Sequence, residues 1–127
     1  MTDHFMRQAL WATAIYNTGA ALAFLFPGSL GALVGLPADA PLLHGVFLAL
    51  FIQGFGVLYG WLALSERIDR GLVAFSGLMK ASVFLLFLTL WITGHAGVLL
   101  VLVGIGDLAF AIIFHRWLKA SAEPAPA

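Results

Sequence analysis

The chain has 127 residues, with six Lys or Arg balanced by six Asp or Glu, so its formal net charge is zero. Only 9% of residues are charged and 62% are hydrophobic, at a mean hydropathy of +1.03, whereas a soluble domain carries about 25% charged residues. That composition excludes a water-covered globular surface, the neutral balance gives no nucleic-acid partner, and the absence of cysteine rules out disulfides, thiolate chemistry and iron–sulfur ligation.

The expected class is all-α: an integral membrane four-helix bundle. The first element covers about residues 9–26. Asp3 and His4 weaken any basic leader region, and the apolar run is longer than a signal-peptide core, so it is expected to be a retained transmembrane helix. Pro27-Gly28 stops it. The connection "PGSLGALVGLPADAPLLH" stays apolar, and "SLGALVGL" fits either a short interfacial helix or a loop packed over the bundle end. The second helix covers about 44–64 and is separated from the third, about 72–93, by the polar "SERIDRG". "GHAG" predicts a tight turn before the fourth helix, about 98–114, whose apolar run is a little short but continues as an amphipathic end. Residues 1–118 are thus expected to form one transmembrane domain, and 119–127, ending in "SAEPAPA", a disordered tail.

Five of the six basic residues, Arg7, Arg67, Arg70, Arg116 and Lys119, fall on one side of a four-span topology. The positive-inside rule puts that side, with both termini, in the cytoplasm of a plasma (inner) membrane. Trp11, Trp61 and Trp117 are expected near the inner boundary and Trp91 near the outer one, as an aromatic belt; Tyr59 reads as an interface anchor.

The sixth basic residue, Lys80, lies inside the third helix. Asn17, Gln53, Lys80 and Asp107 each sit eight or nine residues in from a helix end. At about 1.5 Å per residue that is some 12–14 Å deep, close to the midplane. Their faces carry small residues at helical spacing: Thr13 and Ala20 with Asn17, Ala49, Gly56 and Gly60 with Gln53, Ser76, Gly77 and Ala81 with Lys80, and Gly104 and Ala111 with Asp107. Small residues mark close helix approach in membranes, so all four polar groups are expected to point into the bundle. Lys80 and Asp107 lie on antiparallel neighbours and are expected to pair.

Such groups can be interhelical glue, at about 0.6 kcal/mol per hydrogen bond. A buried ion pair, however, adds little stability, and intramembrane ionisable residues mark functional sites by default. The four histidines lack helical ligand spacing, so no metal site is expected. "GFGVLYG" and "GIGD" follow no strand and are not dinucleotide fingerprints. No Ser–His–Asp set, paired carboxylates or P-loop points to an enzyme.

The chain over about 7–118 resembles the DoxX-like small four-helix bacterial membrane proteins. The likeness rests on "YNTGAALAFLFP" in the first helix, the following "GLP", the Gly-rich second helix, the short basic loop and the final "GIGDLAF". Some members of that family are membrane subunits of sulfur-compound:quinone oxidoreductases. A typical member would have an acidic residue in the second helix where this chain has Gln53, and the resemblance implies the fold and a membrane-subunit role.

The expected function is that of a binding protein or accessory subunit whose midplane site takes the polar head of a small amphipathic ligand, a quinone or a lipid. Lys80 would donate to a carbonyl or anion, Asp107 would orient Lys80, and Asn17 and Gln53 would supply neutral hydrogen bonds. Phe24, Phe84 and Phe110 would contact the apolar tail. A small proton-coupled transporter and a purely structural or assembly subunit are the alternatives, with membrane lipid, a homodimer or a larger membrane complex as partners.

The orientation is open to a direct check. With single cysteines placed at Ala38, Ala96 and Ser121, an impermeant thiol reagent applied to intact cells is expected to label the first two and spare the third. Labelling at Ser121 alone would invert the topology.

Overall fold

The computed structural model describes residues 1–122. Four long helices follow one another: α1 (Asp3–Leu25), α2 (Leu42–Leu64), α3 (Arg70–Ile92) and α4 (Val98–Ser121), with a 3₁₀ turn at Ala32–Val34 between the first two. Among the described residues there is no strand. The helices α2, α3 and α4 are each long and apolar enough to cross a membrane. The apolar run of α1 is diluted by Thr13, Tyr16, Asn17 and Thr18.

Helix ends follow local chemistry. Thr2 caps α1, its hydroxyl accepting from Phe5 N–H at 3.2 Å, and Asp3 stands in the first turn, where the helix dipole favours a carboxylate. This cap starts α1 six residues before the apolar run. Asp69 caps α3 in the same way, accepting from Leu72 N–H at 2.9 Å. The α3–α4 turn closes with His95 N–H donating to Leu90 C=O at 2.8 Å and Gly94 N–H to Trp91 C=O at 3.1 Å. Gly94 sits at φ +79°, a left-handed position that glycine takes without steric cost. Helix α4 runs on through Lys119 to Ser121, where the sequence reading began the tail; residues 123–127 of that tail lie outside the described residues.

The topology is up-down-up-down, two hairpins side by side. α1 packs along α2 and α3 along α4, while α1 touches α4 more lightly. The end carrying Arg7, Arg70 and Lys119 is the better packed, and we call it the basic end. Its core joins Met6 and Leu10 to Tyr59, Val73, Phe114 and Trp117. Three polar clasps tie this end together. The Arg7 guanidinium donates to the carbonyls of Ala63, Ser65 and Glu66 at 2.7, 2.6 and 3.0 Å, satisfying acceptors at the C-terminus of α2 that the helix itself leaves free. Trp117 Nε1–H donates to Asp3 Oδ1 at 3.0 Å. Arg70 lies over the Trp117 ring at 5.7 Å and donates to Leu118 C=O at 2.9 Å and to the Ser121 hydroxyl.

One expectation is corrected here. Trp117 is only 3% exposed and Tyr59 only 1%, so both side chains belong to the core of the basic end and not to its outer surface. The apolar connection forms a short 3₁₀ turn, Ala32–Val34, that leaves Leu30 and Leu33 exposed and lies against α4, with Gly35 beside Leu99.

Close approach of the two chains of the first hairpin depends on Gly45, where an added Cβ would stand 2.8 Å from the Phe24 carbonyl oxygen. Gly45→Ala is therefore expected to lower the stability of the detergent-solubilised protein by about 1–3 kcal/mol. Gly54 faces open space, so Gly54→Ala is expected to be neutral or to stabilise by up to about 1 kcal/mol. Equal unfolding midpoints for the two variants would contradict this packing.

Candidate functional site

Halfway along the bundle, α3 turns Lys80 inward together with Ser76, and these two and Val73 are the buried residues of that helix. Lys80 is 4% exposed. Its ammonium donates to Asp107 Oδ1 on α4 at 2.7 Å and to Asn17 Oδ1 on α1 at 3.1 Å. Asn17 Nδ2 in turn donates to the Ile52 carbonyl of α2 at 2.9 Å. One continuous chain of polar contacts thus crosses all four helices.

Small residues make each contact reachable. An added Cβ at Gly56 would stand 3.3 Å from Asn17 Cβ, so the glycine lets α1 come near enough for the Asn17 amide to find a main-chain acceptor. Gly60, one turn further, makes room for the Trp11 ring in the same way, since an added Cβ would stand 3.4 Å from it. The Gly56/Gly60 stripe therefore packs within the bundle.

Aromatic rings fill the remaining space around the ammonium. The centroids of Tyr16, Tyr59 and Phe110 lie 5.2, 5.5 and 5.6 Å from Lys80 Nζ, within reach of the ring quadrupoles. Tyr16 and Phe110 meet edge to face at 5.6 Å. The Tyr16 hydroxyl has one proton, and Val103 C=O receives it at 2.6 Å; Asp107 Oδ2, at 3.4 Å, stands at the limit of contact. Tyr16 lies directly over Gly106, where an added Cβ would come within 2.7 Å of the ring. Gly104 leaves similar room for Phe84 and Phe87. The glycines of "GIGD" are thus ring seats on the helix that presents Asp107.

Of the residues singled out from sequence, Asn17, Lys80 and Asp107 meet directly. Gln53 does not join them: it is half-buried and makes no hydrogen bond among the described residues, since the neighbouring Ile52 carbonyl serves Asn17 instead. Phe110 lies against the ammonium and Phe84 against Gly104. Sequence reasoning missed Tyr16 and Tyr59. The signal was present in the spacing Thr13, Tyr16, Asn17, Ala20, which puts Tyr16 on the polar face of α1. Ser76 Oγ, one helical turn from Lys80, is fully buried near the Tyr59 hydroxyl and makes no hydrogen bond of good geometry among the described residues. Among the described residues no three His, Asp or Glu side chains stand close enough to hold a metal ion.

No protein-family model, curated protein or solved structure matches the chain.

The arrangement makes Lys80 and Asp107 mutually dependent. Lys80→Met leaves a buried carboxylate without its cation, and Asp107→Leu leaves a buried ammonium without its anion. Each is expected to cost up to about 3–5 kcal/mol, and the double variant to recover much of that loss. Reversible unfolding in detergent micelles measures the cycle; two single effects that simply add would show that the residues are not partners.

Proposed function

We propose that the chain is a four-span protein of the plasma (inner) membrane, with both termini in the cytoplasm, acting as a structural or accessory membrane subunit. On this reading the Lys80–Asp107 centre is an internal lock that fixes how its helices pair. One observation carries the proposal: the ammonium is enclosed by its own chain, with a carboxylate, an amide oxygen and three aromatic rings around it. The exposed apolar residues along α2, α3 and α4 suit contact with lipid and neighbouring membrane proteins. The resemblance to DoxX-like proteins supports the same membrane-subunit role.

A lock of this kind works by penalising wrong registers. In hydrocarbon, apolar helices slide past one another with little change in solvation, because lipid tails are as apolar as leucine. Sliding α3 by one turn moves Lys80 Nζ by about 5.4 Å. That separates it from both acceptors and strands two charges, at about 2.5–3.5 kcal/mol for each exposed to the bilayer centre.

A second reading is favoured by Ser76. Its buried hydroxyl, one turn from Lys80 and without a hydrogen bond of good geometry among the described residues, is a place for the head of a quinone or lipid to bond, with Lys80 as the charged donor beside it.

Spin labels at the exposed positions Thr18 and Ser82 distinguish the two. The lock reading expects a narrow distance distribution in the native protein and a broad one in Lys80→Met/Asp107→Leu, at unchanged helix content. A distribution equally narrow in both would overturn it. Solvent extraction of the purified proteins supplies the other arm. A stoichiometric quinone or lipid in the native protein, absent from the double variant and from Ser76→Ala, would establish the ligand site in its place.

A further inference from the structure

An apolar groove of about 460 Å³ runs along the outside of the second hairpin, within the size range of small-molecule sites. Its floor is made of small residues, Ala74, Gly77 and Ala81 of α3 and Ala111 of α4, and it ends at His115 and Leu118. At Gly77 the two helices pack closely, an added Cβ there meeting Phe114 at an ordinary contact distance of 3.6 Å.

Three features give this groove an occupant. The first is length. From Leu108 to Leu118, the groove's lining on α4, the helix rises about 15 Å, and one leaflet of a hydrocarbon core about 30 Å thick is about 15 Å deep. The groove thus spans the distance of one acyl chain, from the level of Lys80 to the basic end. The second is charge. Arg70 stands at the end of the groove, bound to the carbonyl of Leu118, a residue of the groove wall, at 2.9 Å. Its guanidinium carries five donors, and two of its contacts are to Leu118 and Ser121. Lys119 follows His115 by one turn on the same side of α4, and both are exposed. The nearby carboxylate of Asp69 is engaged in capping α3. The third is continuity: this same end is the cytoplasmic end of the proposed topology, where the leaflet is anionic.

We propose that the α3–α4 groove holds one acyl chain of an anionic phospholipid, whose phosphate sits among Arg70, His115 and Lys119. The site lies on the outer face of the hairpin and is separate from the Lys80 centre. It rests on the membrane-spanning reading, and the two can fail separately. A chain washed from membranes by carbonate, without detergent, fails the spanning reading. A chain that needs detergent yet shows no head-group preference fails only the lipid site.

The probes are phosphatidylglycerol and phosphatidylcholine with identical chains, added to the full-length detergent-purified protein and counted by native mass spectrometry. The native chain is expected to retain phosphatidylglycerol in preference. Lys119→Gln is expected to weaken that binding about fivefold, the effect of one basic group near the surface, and to leave phosphatidylcholine unchanged. Ala74 is exposed, so Ala74→Phe fills the groove without entering the bundle and is expected to displace both lipids. Ala81→Phe fills it independently near the other end, with helix content checked by circular dichroism for each. Equal retention of the two lipids, insensitivity to Lys119→Gln, or undiminished binding in a folded groove-filled variant would overturn the proposal. So would disulfide-linked dimers of Ala74→Cys forming in place of lipid binding, which would show a second copy in the groove.

Discussion

The structure turns on one contact, the 2.7 Å ion pair between Lys80 and Asp107 in a place where water does not reach either group well. Two charges withdrawn from water lose several kcal/mol of solvation each, and their attraction offsets this only when the geometry is good and the remaining lone pairs and protons are used. The rest of the interior serves that condition. Asn17 Oδ1 accepts a second ammonium N–H, and its Nδ2 donates to the Ile52 carbonyl of α2. The rings of Tyr16, Tyr59 and Phe110 fill the volume that water would otherwise occupy. Gly56 and Gly106 are small because the groups around the pair need the space.

Burial is distributed unevenly around this centre. Toward the basic end the bundle closes on large side chains, and three clasps through Arg7, Arg70 and Asp3 hold the helix termini. Toward the other end the buried side chains are mostly small, as at Ala21, Ala23, Ala49 and Gly104. In α3 nothing beyond Lys80 is buried. The third helix is held at its buried positions by Val73, Ser76 and Lys80, with Phe84 and Phe87 packed over Gly104 of α4 and Arg70 clasped to the end of that helix.

Much of this was legible in the residues. Four helices follow from the apolar runs and their breaks, and the inward set Asn17, Lys80 and Asp107 follows from depth and helical phase. Gln53 satisfies the same two criteria and still stands apart, because depth and phase do not register a competing main-chain acceptor. At Ile52 a carbonyl made accessible by Gly56 is the better partner for Asn17. Tyr59 and Trp117 were misplaced for a related reason. An aromatic ring with a polar tip suits a membrane boundary and a buried hydrogen-bonded or cation-facing position equally well, and only the tertiary neighbours Lys80 and Asp3 decide between them. The helix ends at Asp3 and Ser121 were missed because they lie beyond the apolar runs, where caps and clasps set the boundary.

The five-residue turn with Gly94 at its bend has a consequence for how the protein is made. Lys80 and Asp107 are 27 positions apart, so on the proposed membrane-spanning reading a chain emerging N-terminus first would present the ammonium to the bilayer before its counter-charge has been synthesised. Delivered alone, α3 would carry an unpaired charge into hydrocarbon. Delivered as a preformed hairpin with α4, it would enter with that charge already neutralised, and the short turn would keep the two helices in one insertion step. The first hairpin, with its long apolar connection and no acidic or basic residue at the same depth, is free of that timing requirement. Biogenesis would then proceed in two unequal stages: a tolerant one for α1 and α2, and a concerted one for α3 and α4 that waits until α4 has left the ribosome.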